Sequence, residues 1–219
     1  MTTRFEAVIF DMDGLLVDSE RIWLLAEIDM MAERGEEYTP EVRETLVGLR
    51  LDEFSEKIKA VYGFEESAAE LEAELIARML KRIPDEVMPQ AGAPEIVAYV
   101  AESGLPTCIA SSSPQSIIDA IIEGQGWGDV FHTRVSADTV ARGKPAPDVY
   151  LKAAQVLGVR PEACLALEDS PNGARAAVAA GMTCYAVPDP THSDQTAFEG
   201  ITPHVFPSLH EVISQLKGV

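Results

Sequence analysis

Five short apolar runs, separated by longer stretches with a helical pattern, constrain the fold of this chain more than any other feature. The runs occupy residues 7–10, 107–110, 131–135, 164–167 and 183–187. Short strands that alternate with helices form a mostly parallel sheet with helices on both faces. The sequence therefore predicts an α/β fold, whose loops at the carboxyl ends of the strands are placed to bind a ligand.

The stretch between the first two runs has a helical pattern throughout. A first predicted helix has one apolar face and ends at Gly35. Two more helices are predicted to begin at Thr39, which precedes Pro40, and at Ser67, which forms a capping box with Glu70. Hydroxyl residues also precede prolines in the pairs Ser113-Pro114 and Ser170-Pro171, where we expect further helix N-caps. The apolar face of the first helix comprises Ile22, Leu25, Ala26 and Met30.

These patterns predict two parts of the chain. Residues 15–86 form an α-helical cap inserted into the core, and residues 1–14 together with 87–219 form the α/β catalytic core. Both connecting segments pass beside the end of the first strand. We therefore expect the cap to act as a mobile lid over that strand end.

Composition excludes several classes of partner. The chain of 219 residues has 17 Lys and Arg against 36 Asp and Glu, for a net charge of −19, which disfavours nucleic acid and anionic membranes. No uninterrupted apolar run is long enough for a membrane span, and the first residues lack the pattern of a signal peptide, so we expect a soluble, cytoplasmic protein. Cys108, Cys164 and Cys184 lie in apolar runs and are predicted to be buried and reduced.

The segment Phe10-Asp11-Met12-Asp13-Gly14 carries the strongest signal of chemistry. It begins where the first strand ends, and Gly14 permits a tight turn that directs both carboxylates toward one ligand. One of the two carboxylates could attack a phosphoryl group while the other transfers protons. Taken alone, the segment fits equally well a loop in which Asp11 caps a turn.

Three other segments fall at predicted strand ends. Ser111 to Ser113 follow one of these strands, and a serine-rich loop by itself would suit a helix cap. Lys144 lies between a glycine and a proline, which restricts where its ammonium can go, although an isolated lysine is more often exposed to solvent. Glu168 and Asp169 form an acidic pair beside a helix start, and oxygen ligands of this kind suit Mg²⁺.

Together these segments resemble the motifs of the haloacid-dehalogenase-like hydrolase superfamily, in the branch that contains sugar-phosphate phosphatases and β-phosphoglucomutase. The resemblance covers the whole chain and implies a Rossmann-like core. It implies that Asp11 is the nucleophile and Asp13 the acid/base, and that Ser111, Ser112 and Lys144 bind the phosphate. The implied Mg²⁺ ligands are Asp11, the main-chain oxygen of Asp13, Asp169 and, directly or indirectly, Glu168.

Two cap residues are weaker candidates for substrate binding. Glu20 follows the exit from the nucleophile loop and could face the substrate or stabilise a helix start. Arg50, in the segment Gly48-Leu49-Arg50, lies where relatives place residues that select the substrate, but it could equally be a surface arginine.

The residues partly separate the activities that the resemblance allows. Asp13 argues against a dehalogenase, in which no leaving alcohol needs a proton. β-Phosphoglucomutases typically carry histidine and threonine where this chain has Trp23 and Ser19. This difference favours a phosphatase, and a phosphosugar mutase is the alternative. A regulator that binds phosphometabolites is a third reading. The closest resemblance is to 2-deoxyglucose-6-phosphate and hexitol phosphatases, so we expect a small phosphorylated sugar or polyol as substrate, and a monomer, with a dimer left open.

Overall fold

The computed structural model describes residues 5–46, 49–189 and 195–218. Its centre is a five-stranded sheet with the order β5-β4-β1-β6-β7, and every neighbouring pair in it is parallel. The predicted α/β class with a mostly parallel sheet is confirmed. The strands are β1 (Ala7–Phe10), β4 (Thr107–Ser111), β5 (Thr133–Ser136), β6 (Cys164–Glu168) and β7 (Thr183–Ala186).

The strands lie close to their predicted positions. β1 has the predicted bounds, β4 and β6 extend one residue further, and β5 begins two residues later than predicted. Side chains alternate between the two faces of the sheet, so Val8 and Phe10 pack into one apolar cluster while Ala7 and Ile9 pack into another. A strand that buries both faces must be apolar throughout, which explains why these strands appear in the sequence as continuous apolar runs.

Four helices connect β1 to the rest of the sheet. Thr39 and Ser67 are the N-caps of the second and fourth helices, and Ser67 with Glu70 forms the predicted capping box. The first helix ends beside Gly35, which has a positive φ of 75°. These helices are α1 (Glu20–Glu33), α2 (Pro40–Glu44), α3 (Leu51–Tyr62) and α4 (Ala68–Glu86).

The remaining helices pack on the two faces of the sheet. Ser170 is the N-cap of α8, as predicted, and accepts a hydrogen bond from the Gly173 amide. The predicted N-cap at Ser113 is wrong by one residue, because α6 begins at Gln115 and Pro114 occupies the N-cap position with extended backbone. The helices are α5 (Ala93–Ser103), α6 (Gln115–Gly124), α7 (Asp148–Leu157), α8 (Pro171–Ala179) and α9 (Leu209–Lys217), with short 3₁₀ turns at Ala137–Thr139, Pro161–Ala163 and Gln195–Phe198.

A small antiparallel ladder joins the two segments that connect the helical insert to the sheet. Strand β2 (Val17–Asp18) pairs with β3 (Met88–Pro89), and the Gln90 amide donates to the Leu16 carbonyl at 2.9 Å. The two connecting segments are therefore hydrogen-bonded to each other beside the carboxyl end of β1. The division of the chain at residues 14/15 and 86/87 stays a prediction.

Two smaller expectations concern the cysteines and membrane-spanning helices. Cys108, Cys164 and Cys184 are buried and form no disulfide, as predicted. Among the described residues, no helix is both long enough and apolar enough to cross a membrane.

Candidate active site

The candidate site lies at the carboxyl edge of the sheet, around the end of its central strand. Asp11 follows β1 directly, and its amide donates to the Leu167 carbonyl of β6 at 3.0 Å. The carboxyl ends of β4 and β6 flank it, because both strands run parallel to β1. The topology therefore brings together chain segments that are far apart in the sequence.

A chain of buried charges connects three of the predicted residues. The Lys144 Nζ atom lies 2.9 Å from Asp11 Oδ1 and 2.7 Å from Glu168 Oε1. The side chains of Lys144 and Asp11 are 6% and 9% exposed, and that of Glu168 is fully buried. Little solvent screens these charges, so the lysine is held beside Asp11 by two carboxylates.

Glu168 is held on both of its oxygen atoms. Tyr150 donates its hydroxyl to Oε1 at 2.5 Å, and Ser170 donates its hydroxyl to Oε2 at 3.2 Å. Gly173 leaves the space that the carboxylate occupies, since a Cβ there would lie 1.8 Å from Glu168 Oε1. The helix start at Ser170 thus accommodates the same carboxylate that positions Lys144.

The charges shift the pKa values of both partners. Burial and the charges of Glu168 and Asp13 together raise the pKa of Asp11 to about 7, although Lys144 lowers it. Burial lowers the pKa of Lys144, but the Asp11 and Glu168 charges outweigh burial, so the net pKa is raised. Lys144 is therefore a permanent cation at neutral pH.

Asp11, Glu168 and Asp169 form an acidic cluster with the chemistry of a divalent-cation site. One oxygen atom from each lies within 4.8 Å of the others. Burial, then the Asp11 and Glu168 charges, raise the pKa of Asp169 well above its ordinary value, as expected for three acids gathered with one lysine. Gly14 makes room for this arrangement, because a Cβ there would lie 2.2 Å from Asp169 Oδ2. An all-oxygen donor set of this kind fits Mg²⁺.

Asp13 is held by three serine hydroxyls. Ser19 donates to Oδ1 at 2.6 Å, while Ser111 and Ser113 donate to Oδ2 at 2.9 and 2.8 Å. Ser111 is fully buried and donates its hydroxyl to Asp13, and its binding to the phosphate stays a prediction. Sequence analysis missed the contacts of Ser19 and Ser113 with Asp13, and only the spacing of Ser19 within the Asp-Ser-Glu segment hinted at such a role.

A cavity of about 400 Å³ opens next to these residues. A hydrolysable ester of a small metabolite fits a space of this size. Its wall on the sheet side includes Asp11, Asp13, Ser112, Lys144 and Asp169, all of them predicted site residues. The carboxylates, the lysine and the cavity thus lie together at the carboxyl edge of the sheet.

The opposite wall comes from the helical insert. Glu20, which was a weaker candidate, lies in this wall with Trp23 and Glu27, and their spacing of three and four residues makes one stripe of α1. Tyr38 and Arg43 complete its polar part. Glu27, Tyr38 and Arg43 are cavity residues that were not predicted from the sequence. The helical stripe that Glu27 shares with Glu20 is the signal that could have indicated Glu27.

Arg50 lies elsewhere. Among the described residues it is not part of the cavity wall; its Nη1 donates to the Val140 carbonyl at 3.4 Å, and it pairs with Asp52 at 3.2 Å. Its side-chain stem lies against Gly143, where an added Cβ would come within 2.8 Å of Arg50 Cδ. Gly48, the first residue of the predicted loop, falls outside the described residues.

Comparisons with known proteins agree with this geometry. Hexitol phosphatase B of Escherichia coli strain K12 is 38% identical over 195 residues, which cover 88% of this chain and 87% of that protein. The crystal structure of CbbY from Rhodobacter sphaeroides in complex with phosphate is 25% identical, has a TM-score of 0.83 and matches 97% of this chain and 99% of that one. A hydrolase from Deinococcus radiodurans with bound phosphate and sodium is 30% identical, with a TM-score of 0.73 and coverage of 99% and 96%.

The family match extends over most of the chain. A family model described as a haloacid dehalogenase-like hydrolase matches residues 5–181. These residues include β1 with Asp11, the Lys144 loop and the Glu168-Asp169 pair. On this match and on the identity to a full-length relative, the chain belongs to the haloacid dehalogenase-like hydrolases.

Proposed function

We propose that this hydrolase is a Mg²⁺-dependent phosphatase that removes phosphate from a small phosphorylated sugar or polyol through an aspartyl-phosphate on Asp11. The observation that carries the proposal is the contact of Asp11 with Lys144 at 2.9 Å on the wall of the cavity, beside Asp169. A buried carboxylate with a fixed cation and further acidic ligands around it is the arrangement that phosphoryl transfer needs. The relatedness to hexitol phosphatase B supports the substrate class.

Asp11 is the proposed nucleophile. Its carboxylate attacks phosphorus, and the ester oxygen leaves with the electrons of the broken P–O bond. Lys144 neutralises the attacking carboxylate before the reaction. A phosphoryl group bound to Asp11 would lie next to the same ammonium group, which would then offset the charge on its oxygens. Water then cleaves the acyl phosphate and regenerates Asp11.

Asp13 is the proposed acid and base. It lines the cavity with Asp11, and its three serine donors give the carboxylate a defined position. A carboxyl group there can give a proton to the departing alcohol and then take one from the attacking water. We propose that Ser111 acts through Asp13 as well as on the phosphate, with Ser112 on the cavity wall as a second phosphate donor.

Asp11, the main-chain oxygen of Asp13 and Asp169 are the proposed Mg²⁺ ligands. Glu168 has one oxygen shared by Lys144 and Tyr150, so we assign it the support of Lys144 and an indirect role at the metal. When bound, the ion would offset the repulsion between a phosphate dianion and an attacking carboxylate.

Simple hydrolysis is favoured over a phosphosugar mutase. Trp23 lies in the cavity wall, and Ser19 is buried and donates a hydrogen bond to Asp13. The mutases are expected to carry histidine and threonine at these two positions. A regulator without turnover would not need the nucleophile, the lysine and the acid/base together. The proposal includes the predicted division of the chain, in which residues 15–86 form a cap on the α/β core.

The proposal is tested by phosphate release from sorbitol 6-phosphate with and without Mg²⁺. We expect turnover that is abolished by chelation and restored by added Mg²⁺. Asp11→Asn should fold normally and lose at least about a thousandfold in kcat, because attack depends on the carboxylate oxygen. Near-normal turnover by pure Asp11→Asn protein, or turnover that survives chelation, would contradict the mechanism.

A further inference from the structure

A cluster of polar side chains lies in the helical insert, at the end of the cavity that faces away from the sheet. Glu27 comes from α1, Arg43 from α2, and Tyr38 from the segment between them, and all three line the cavity. We call Glu27, Tyr38 and Arg43 the distal cluster. None of them is needed for the proposed phosphoryl transfer.

The three side chains influence one another electrostatically. Burial raises the pKa of Glu27 to about 7, while the Tyr38 hydroxyl and the Arg43 charge lower it and Glu20 raises it. Glu27 is therefore both a carboxyl and a carboxylate near neutral pH, and it can donate as well as accept a hydrogen bond. Such a group suits ligand hydroxyls, which also do both.

Arg43 has hydrogen-bonding capacity that the protein does not use. Its Nε atom is buried and has no hydrogen-bond partner among the described residues. Buried polar atoms ordinarily have partners, and an unmade bond of this kind is costly. Because Arg43 also lines the cavity, we interpret this unused donor as capacity to bind an acceptor of a ligand in the cavity.

The charge around this end of the cavity disfavours an anion. In the described part of the chain, Arg43 is the single basic residue that the insert contributes to the wall, and it is accompanied by Glu20 and Glu27. A second phosphate or a carboxylate would meet both acidic groups, while a hydroxyl can pair with all three. The rest of the wall is apolar and suits the carbon chain of a sugar: Trp23, Leu46, Leu49, Leu51 and Phe54.

We infer, on the basis of the proposed function, that the distal cluster binds the non-reacting end of the substrate and selects an end that is uncharged and hydroxylated. Glu27, Tyr38 and Arg43 are thus specificity-determining residues. The selected class is monophosphates of sugars and polyols. Sugar bisphosphates and phosphorylated sugar acids are discriminated against, and so is the bisphosphate intermediate that a mutase would have to hold.

Two substrates test the inference because they differ at one carbon. Sorbitol 6-phosphate ends in a primary alcohol, whereas 6-phosphogluconate ends in a carboxylate. The wild-type enzyme with Mg²⁺ at pH 8 should show a kcat/KM at least about tenfold higher for the alcohol, the change expected for one hydrogen bond to a charged group. p-Nitrophenyl phosphate, which lacks a hydroxylated end, reports on the chemistry at Asp11 alone.

Variants of the distal cluster should separate selection from chemistry. Arg43→Gln and Tyr38→Phe should each lower kcat/KM for sorbitol 6-phosphate about tenfold or more, with p-nitrophenyl phosphate changed by less than about twofold. Glu27→Gln should reduce the difference in kcat/KM between sorbitol 6-phosphate and 6-phosphogluconate. Tyr62→Phe is the matched control, because the Tyr62 hydroxyl donates to the Glu37 carbonyl and does not line the cavity.

The outcomes distinguish the inference from the proposed function. If the wild type hydrolyses no phosphate ester with Mg²⁺, the proposed function fails. The distal cluster does not select the substrate if the wild type hydrolyses p-nitrophenyl phosphate but has equal kcat/KM for sorbitol 6-phosphate and 6-phosphogluconate. The same conclusion follows if folded Arg43→Gln and Tyr38→Phe proteins keep the wild-type ratio of kcat/KM between sorbitol 6-phosphate and p-nitrophenyl phosphate. Thermal unfolding of each variant shows that it is folded, and Tyr38→Phe, which removes one oxygen, tests the inference should Arg43→Gln fail to fold.

Discussion

Ser19 donates a hydrogen bond of 2.6 Å to the Oδ1 atom of Asp13. Ser19 is the residue immediately before α1, so this bond links the start of the helical insert to the proposed acid/base in the core. Ser111 and Ser113 hold the other oxygen from the sheet side. The contact of Ser19 with Asp13 therefore couples the start of α1 to the position of the proposed acid/base.

The first prediction concerns Asp13. Asp13→Asn should lower kcat for sorbitol 6-phosphate by about a hundredfold or more, because a poor alcohol leaving group needs a proton. The loss should be much smaller for p-nitrophenyl phosphate, whose leaving group is stable as an anion. Both rates are measured over a range of Mg²⁺ concentrations, and equal losses at saturating Mg²⁺ would remove Asp13 from the role of leaving-group acid.

The second prediction concerns Lys144. Lys144→Met removes the cation that Asp11 and Glu168 share and leaves these two buried carboxylates without its positive charge. We expect a loss of kcat/KM for every phosphate ester and a loss of about 3–5 kcal/mol in the free energy of unfolding at pH 8. Urea unfolding and phosphate release measure the two effects. Lys152→Met, on the exposed face of α7, is the matched control and should change neither.

The third prediction uses the close packing of Gly173 on Glu168. Gly173→Ala places a Cβ 1.8 Å from Glu168 Oε1, so the carboxylate must move and Lys144 loses its support. We expect a lower melting temperature and a lower kcat. Gly124→Ala, at the end of α6 with nothing within 4 Å of the new Cβ, should leave kcat unchanged. A fully active Gly173→Ala enzyme would show that Glu168 does not position Lys144.

The fourth prediction is a pH dependence of stability that arises from Glu27. The pKa of Glu27 is raised to about 7 in the folded protein from the ordinary glutamate value of 4.5, so ionisation destabilises the folded state. This cost is absent below about pH 4.5, grows as the pH rises to about 7 and is then constant, at up to about 3 kcal/mol. Relative to wild type, Glu27→Gln should gain stability at pH 8.5 and gain none at pH 4.5.

Urea unfolding of the metal-free protein at the two pH values measures this difference. Glu33→Gln is the control, because Glu33 is exposed and its pKa is lowered by Arg78, so its replacement should not stabilise the protein at high pH. A Glu27→Gln variant with the same stability difference at both pH values would show that Glu27 is not buried as an acid.

Much of the fold and the sheet side of the site could be predicted from the sequence. Strands buried on both faces must be apolar, so β1, β4 and β6 were visible as apolar runs, and Asp11, Lys144 and Asp169 follow from motifs at strand ends. The N-cap at Ser170 was also visible, because capping depends on neighbouring residues. Ser113 was misjudged because its hydroxyl serves Asp13, a residue 100 positions away.

The sequence by itself determined the parallel sheet, the helical insert and the identity of the charged groups, because local periodicity and strand-end motifs depend on residues that are close in the chain. Only the tertiary structure decided which cap side chains face the cavity. Arg43 lines it and Arg50 packs on Gly143 and Val140, although both are arginines on cap segments. The difference depends on how α1 and α3 pack against α4 and how α4 packs against α6. This packing brings together residues that are far apart along the chain, so no local pattern reveals it.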